Sequence, residues 1–166
     1  MKKITSDYIV GFVDGEGCFT LHIIKKKQSA FGFYFTPSFS VSQNTNSVRV
    51  LQDIQQFFHC GFIRNDKKTS KYEVRDLKNL TTYIIPFFKK NKLRTMKNKD
   101  FQIFCEICGL LNQKQHYTVS GAQKLLDLAF SMNQNGVNRR KEKTHYLESI
   151  QESKFTNLPI SNKVKV

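Results

Sequence analysis

Acidic side chains are scarce in this 166-residue chain: 13 Asp and Glu stand against 27 Lys and Arg, a net charge of +14. That deficit exceeds what solubility requires and implies a polyanionic partner, nucleic acid ahead of an anionic membrane. Long apolar runs are missing as well. None approaches the ~18 residues of a bilayer span, and no basic amphipathic helix shows a clean apolar face, so no membrane role is expected. MKKITSDYIVGF places basic residues before an apolar stretch, but Asp7, Asp14 and Glu16 interrupt it. No small-residue cleavage site follows, so it does not read as a secretory leader. Cysteines number four, at 18, 60, 105 and 108, and only Cys105 and Cys108 have CxxC spacing. No second pair or histidine cluster completes a four-ligand set, which argues against structural zinc and for core thiols in a reducing compartment. The four histidines, His22, His59, His116 and His145, are too scattered for a His–Asn–His metal site.

A chain of this size can bury roughly 70% of its unfolded surface without disulfides. One domain over residues 1–153 is expected, with a short basic tail over 154–166. Ser6 or Thr5 can cap a helix reaching about Gly15. FTLHIIK then alternates, with Phe19, Leu21 and Ile23 on one face and Thr20, His22, Ile24 and Lys26 on the other. YFTPSFSVSQ alternates more cleanly: Phe35, Pro37, Phe39 and Val41 oppose Tyr34, Thr36, Ser38, Ser40 and Ser42. These patterns predict an antiparallel pair with one buried and one wet face. Pro37 lacks a ladder donor and should face an unpaired edge or a bulge. A helix over 47–58 ending at Gly61 and a hairpin turning near Lys67–Ser70 come next, with Tyr72 and Val74 inward. Helices near 79–88, 98–112, 120–132 and 143–152 complete an α-β-β-α-β-β-α order, an α+β arrangement of four antiparallel strands with helices on one face.

The outward residues of those strands are Thr20, His22, Ile24, Lys26, Tyr34, Thr36, Ser38, Ser40, Arg64, Asp66, Lys71, Glu73 and Arg75. They mix donors and acceptors of the kinds that read base edges, and a two-stranded ribbon fits the major groove of B-DNA. In NGVNRRKEKTH, Asn138, Arg139, Arg140, Lys141 and Lys143 sit beside a helix start and suit phosphate gripping, which positions a duplex without reading it.

The stretch YIVGFVDGEGCF joins these features. Gly11 and Gly15 lie four apart on one helix face, where each costs roughly 1 kcal/mol unless a second backbone packs closely against it. The motif has no second copy in the chain. Its expected partner is therefore the same helix of another subunit across a two-fold axis, with Gly11, Phe12, Asp14 and Gly15 in the interface. Two Glu16 carboxylates near that axis, at the negative ends of two helix dipoles, require neutralisation. Mg²⁺ suits hard oxygen ligands and completes its shell with water and phosphate oxygens, and such a cluster beneath a basic face suits phosphodiester hydrolysis.

VGFVDGEG resembles the LAGLIDADG motif of the homing-endonuclease family. SVSQNT around Gln43, the GFIR hairpin, MKNKDF and MNQNGVNRRK resemble further landmarks of that family in the same order, covering residues 6 to about 150. The resemblance implies an αββαββα core whose saddle-shaped four-stranded sheet carries its helices on the convex face. It implies a homodimeric, intron-encoded enzyme that cuts both strands of a long pseudo-palindromic DNA site and leaves short 3′ overhangs. Glu16 matches the metal-binding acid, assisted by the Gly15 carbonyl, whereas Asp14 matches an acid that serves the helix end. Gln43 matches a residue that orients water by the scissile phosphate. Lys97 matches the lysine preceding Asp100 and Phe101, which stabilises charge or activates water. The implied cofactor is Mg²⁺ or Mn²⁺, with Ca²⁺ binding without supporting cleavage. An organellar compartment, chloroplast or mitochondrion, follows from family habit and from a Lys-, Asn-, Phe- and Ile-rich composition. Ser47 stands where related enzymes often carry an arginine, and whether Arg49 substitutes for it is open at this level. The alternative reading is an RNA maturase or a catalytically decayed DNA-binding protein whose partner includes host intron RNA.

Overall fold

The computed structural model of the chain describes residues 4–133 and 142–155. Helix α1 (Ser6–Glu16) is capped by Thr5, whose hydroxyl accepts from the Tyr8 N–H at 3.3 Å. Strands β1 (Gly17–Lys25) and β2 (Phe33–Asn44) precede helix α2 (Val48–Phe58) and the hairpin of β3 (Phe62–Asn65) and β4 (Thr69–Val74). One helical turn, α3 (Leu77–Asn79), leads through a π turn (Leu80–Ile84) into α4 (Ile85–Lys90). The π turn has a local cause in Pro86, which lacks an N–H and crowds the carbonyl one turn back, so the ladder before it widens. Helices α5 (Lys97–Asn112), α6 (Val119–Ser131) and α7 (Lys143–Phe155) follow. No helix among the described residues is long and apolar enough to cross a membrane.

The four strands form one antiparallel sheet in the order β1-β2-β4-β3. Pairing of Thr20 with Ser38, His22 with Thr36 and Ile24 with Tyr34 places these expected surface positions on one face. Ser40 with Glu73 and Arg64 with Lys71 extend the same face across β4 and β3. Pro37 pairs with Leu21 on one side only, because β4 ends at Val74, opposite Phe39. The missing N–H is tolerated where β2 outruns its neighbour.

Phenylalanines build the core on the opposite face. Phe19 lies 5.1 Å from Phe39, 5.7 Å from Phe88, 5.3 Å from Phe101 and 5.4 Å from Phe104, centroid to centroid. Offset and edge contacts of this kind each add about 0.5–1.5 kcal/mol beyond burial. Helix α5 reaches the sheet through Phe101, Phe104, Cys108 and Leu111, whose spacing of three and four residues keeps them on one stripe. A second cluster, Phe31, Phe33, Ala122, Leu126 and Ile150, joins the far end of β2 to α6 and α7. All four cysteines are free, and Cys108 is buried in the core.

The fold corrects several expectations. Helix α2 stops at His59, which takes the left-handed conformation at φ 54°, two residues before Gly61 at φ 77°. Gly61 is required on a second count, since a Cβ there would meet the Glu73 carbonyl at 2.7 Å. The hairpin turns at residues 66–68, and Ser70 lies within β4, fully buried. The polar sheet face is not uniformly wet either. Ser38, Ser40 and Glu73 are closed to solvent, because they occupy the middle of the sheet, where longer side chains of flanking rows cover them.

Candidate active site and nucleic-acid face

Helix α1 ends where β1 begins, so its last turn lies at the edge of the sheet. Ile9, Val10 and Val13 hold it to the core, while Tyr8, Gly11, Gly15 and Glu16 are exposed. A Cβ on Gly11 or Gly15 would meet nothing within 4 Å. Among the described residues, neither glycine is thus required by packing, and the helix carries their cost where a Cβ would stand in open space. Phe12 stacks on Tyr8 at 5.9 Å and 13°, adding an aromatic pair to that face.

The two acids of the motif have separate partners. Asp14 Oδ2 accepts from the Arg94 N–H at 2.9 Å, and Oδ1 accepts from the Thr95 N–H at 3.2 Å and the Thr95 hydroxyl at 2.8 Å. Burial raises the Asp14 carboxyl, but these hydrogen bonds from Arg94 and Thr95, with the charge of Lys97, hold it below the usual carboxylate range. Asp14 therefore ties down the loop that opens α5, eighty residues along the chain. Lys97, the first residue of α5, donates from Nζ to the Gly15 carbonyl at 3.1 Å. An ammonium at a helix C-terminus offsets the negative end of the dipole. Glu16 points outward and makes no hydrogen bond or ion pair among the described residues. Lys97 thus meets the Gly15 carbonyl at the end of α1, and Glu16, the next residue, is exposed beside it. The Asp14 carboxylate is engaged by its own chain instead of lying free for a partner subunit.

Gln43 sits two residues past Val41, the partner of Gly17, which brings it to the same end of the sheet. Its Oε1 accepts from the Asn44 N–H at 2.8 Å. Arg49 lies on the first turns of α2 and pairs with Asp53 at 3.3 Å.

The sheet face carries cations in fixed surroundings. Lys26 lies 5.7 Å above the Tyr34 ring, and Arg64 faces Asp66 at 3.8 Å. Lys143 pairs with Asp127 of α6 at 2.5 Å, and both side chains stay open to solvent. Asn138, Arg139, Arg140 and Lys141 lie outside the described residues. Two positions, Phe62 and Asn133, escaped the sequence reading. Phe62 pairs with Glu73, so it stands on the polar face, where it is exposed, and Ser42, opposite Lys71, lies on that face as its alternation predicts. The alternation of Phe62 with Arg64 was the available signal. Asn133 adopts φ 51° and bridges two elements: its N–H donates to Asp100 Oδ1 at 3.1 Å and its Nδ2 to the Phe19 carbonyl at 2.8 Å. No local pattern announced that bridge.

A family model described as LAGLIDADG endonuclease matches residues 9–108, spanning α1, the sheet and most of α5. The chain belongs to the LAGLIDADG endonuclease family. A probable intron-encoded endonuclease 2 of Neurospora crassa is 30% identical over 162 residues, which cover 96% of this chain and 36% of that protein. The chain spans about a third of the length of this and a second curated relative, from Mycosarcoma maydis, that is 35% identical over 108 residues. Among solved structures, the homing endonuclease I-TnaI superposes with a TM-score of 0.81 at 31% identity, covering 90% of this chain and 99% of that one. The archaeal intron-encoded homing endonuclease I-Vdi141I complexed with DNA gives a TM-score of 0.82 at 26% identity, over 90% and 96% of the two chains. The LAGLIDADG fold, with its four-stranded antiparallel sheet and helices, is therefore the fold of this chain.

Proposed function

We propose that this protein is a homodimeric, divalent-metal-dependent DNA endonuclease that recognises a long pseudo-palindromic duplex site and cuts both strands, leaving short 3′ overhangs. The observation that carries this reading is the Lys97 ammonium on the Gly15 carbonyl, next to the exposed Glu16, at the end of a helix whose glycines have open space around them. Intron mobility is the biological role that fits relatives named as intron-encoded, in an intracellular, organellar setting.

The donor set fits a hard cation. Among the described residues no group of three or more His, Cys, Asp or Glu side chains gathers in one copy, and Asp14 is already engaged. One Glu16 carboxylate and one Gly15 carbonyl are too few ligands for a cation, but two copies packed through Gly11 and Gly15 bring two such sets to the axis. Bound there, Mg²⁺ or Mn²⁺ supplies Lewis-acid charge and an activated water, and Ca²⁺ is expected to bind without supporting cleavage. The remaining chemistry falls to side chains. Lys97 places a cation beside the reacting phosphate, Gln43 orients water, and Asp14 holds the loop that delivers Lys97. The polar sheet face lies along the major groove, about 10 bp for each half-site.

Cleavage of a pooled library of intron-insertion-like sites with Mg²⁺, comparing the wild type with Glu16→Gln, tests the reading. Wild-type cleavage of one site, with Glu16→Gln binding that site uncut, is expected. Tight binding of duplex DNA or structured RNA without cleavage by either protein would replace the enzyme reading with a maturase or a decayed binder.

A further inference from the structure

A carboxylate in the middle of a basic surface is costly unless something holds it. Glu73 lies on β4 with Lys71 two residues before it and Arg75 two residues after, all on the polar face. Its side chain is 1% exposed. The Ser38 hydroxyl on the neighbouring strand donates to Glu73 Oε1 at 2.7 Å, and Arg75 Nη2 meets Oε2 at 3.0 Å. Lys71 Nζ stands 4.0 Å from Oε1. Burial raises the Glu73 carboxyl, but the hydrogen bonds from Ser38 and Arg75 and the charges of Lys71 and Arg75 together hold it below its ordinary value. It is a charged group, closed to solvent, tied to two cations that remain partly exposed.

Two roles are excluded by this arrangement. The carboxylate is not exposed, so it cannot accept a hydrogen bond from a base edge, as its place on the face would otherwise suggest. Nor does fold stability alone account for it, since a buried ion pair is commonly no better than an apolar replacement of similar volume. Orientation is what the pair does supply. A guanidinium has five donors in a rigid fork. The ion pair at 3.0 Å keeps the Arg75 guanidinium beside Glu73 while its other donors are left for an external acceptor.

We propose that Glu73 is a positioning residue for base readout, holding Arg75 so that its guanidinium reads a guanine through O6 and N7 in the major groove, with Lys71 held beside it. This rests on the proposed binding of duplex DNA by the sheet face. The chemistry is that of the bidentate arginine–guanine contact, which requires a planar donor pair aimed at one base. Lysine at position 75 supplies the charge without the fork.

The test is selection of binding sites from duplexes randomised across one half-site, using the full chain as wild type, Glu73→Gln and Arg75→Lys. Wild type should enrich guanine at one base pair per half-site. Both variants should lower discrimination at that same pair by about tenfold or more, leaving the other pairs unchanged. Glu73→Gln should bind random duplex at least as tightly as wild type, because a negative charge has left the face. An unchanged Glu73→Gln profile, relaxation at a different pair from Arg75→Lys, or uniform loss at all pairs would each overturn the positioning role. If Glu73→Gln does not fold, Ser38→Ala takes its place, with weaker relaxation required at the Arg75 pair. Failure of the wild type to enrich any site would instead overturn the DNA-reading assignment of the sheet, and this proposal with it.

Discussion

Replacing Asp14 by asparagine separates the two acids of the opening motif by what each one loses. The Asp14 carboxylate accepts three hydrogen bonds from Arg94 and Thr95. Asparagine keeps one accepting oxygen, so the Thr95 bonds survive, but its amide nitrogen turns a donor toward the Arg94 N–H. Loss of one bond to a charged acceptor is worth about 1.5–3 kcal/mol when buried. At this partly exposed site about 1–2 kcal/mol is the reasonable range. For a chain of this length that lowers Tm by about 2–8 °C. The loop then holds Lys97 less firmly against the Gly15 carbonyl, and loss of a supporting partner of this kind lowers activity about 10–100-fold. Glu16→Gln should behave oppositely. Glu16 is exposed and makes no polar contact among the described residues, so Tm should stay within the equivalent of about 0.5 kcal/mol while cleavage is abolished. Thermal melting monitored by circular dichroism, with single-turnover cleavage of a plasmid carrying the selected site, reads both effects. The reasoning is refuted if Asp14→Asn melts and cuts like the wild type, or if Glu16→Gln lowers Tm more than Asp14→Asn does.

Three further outcomes are expected. Gly11→Leu should retain the helical content of the chain, since a Cβ there meets nothing within 4 Å among the described residues, while sedimentation shifts from dimer to monomer; a persisting dimer would place the subunit interface elsewhere. Phe39→Ala removes a fully buried ring that contacts Phe19, Phe58, Tyr72 and Phe88, so urea denaturation should show a loss of about 3–5 kcal/mol. Asp14 and Glu73 are both held below their ordinary values, so their stabilisation is complete above the unfolded carboxylate range, about 4. It should be lost as pH falls through that range towards the folded values. Urea midpoints measured from pH 7 to pH 3 should fall steeply only at the acid end, and Asp14→Asn should flatten that fall.

The elements most legible in the sequence were those whose period is local. Phe19-Leu21 and Phe39-Val41 alternate with Thr20-His22 and Ser38-Ser40, and that alone predicts the β1–β2 pair and its two faces. Glu16, Lys97 and Gln43 were singled out through resemblance to the LAGLIDADG landmarks, and of these the structure brings Lys97 onto the Gly15 carbonyl. Phe62 was missed because an apolar residue at a strand start was not counted by its parity against Arg64, which places it on the polar face. Ser38, Ser40 and Glu73 were expected in water because polarity was read as exposure. A strand pattern specifies which face a side chain takes, not how its neighbours cover it.

Alternation and the glycine spacing of one helix were enough, without coordinates, to determine the class of fold and the acids at the end of α1, and the charge balance was enough to raise the expectation of a polyanionic partner. These follow from short-range sterics and composition, which act on residues a few positions apart. Only the tertiary structure decided that Asp14 serves the loop before α5, that Asn133 bridges β1 to Asp100, and that Glu73 is sealed beneath two cations. Each of those partnerships joins chain segments through packing of the whole sheet and its helices. The donor and acceptor chosen there depend on distances that no local periodicity encodes.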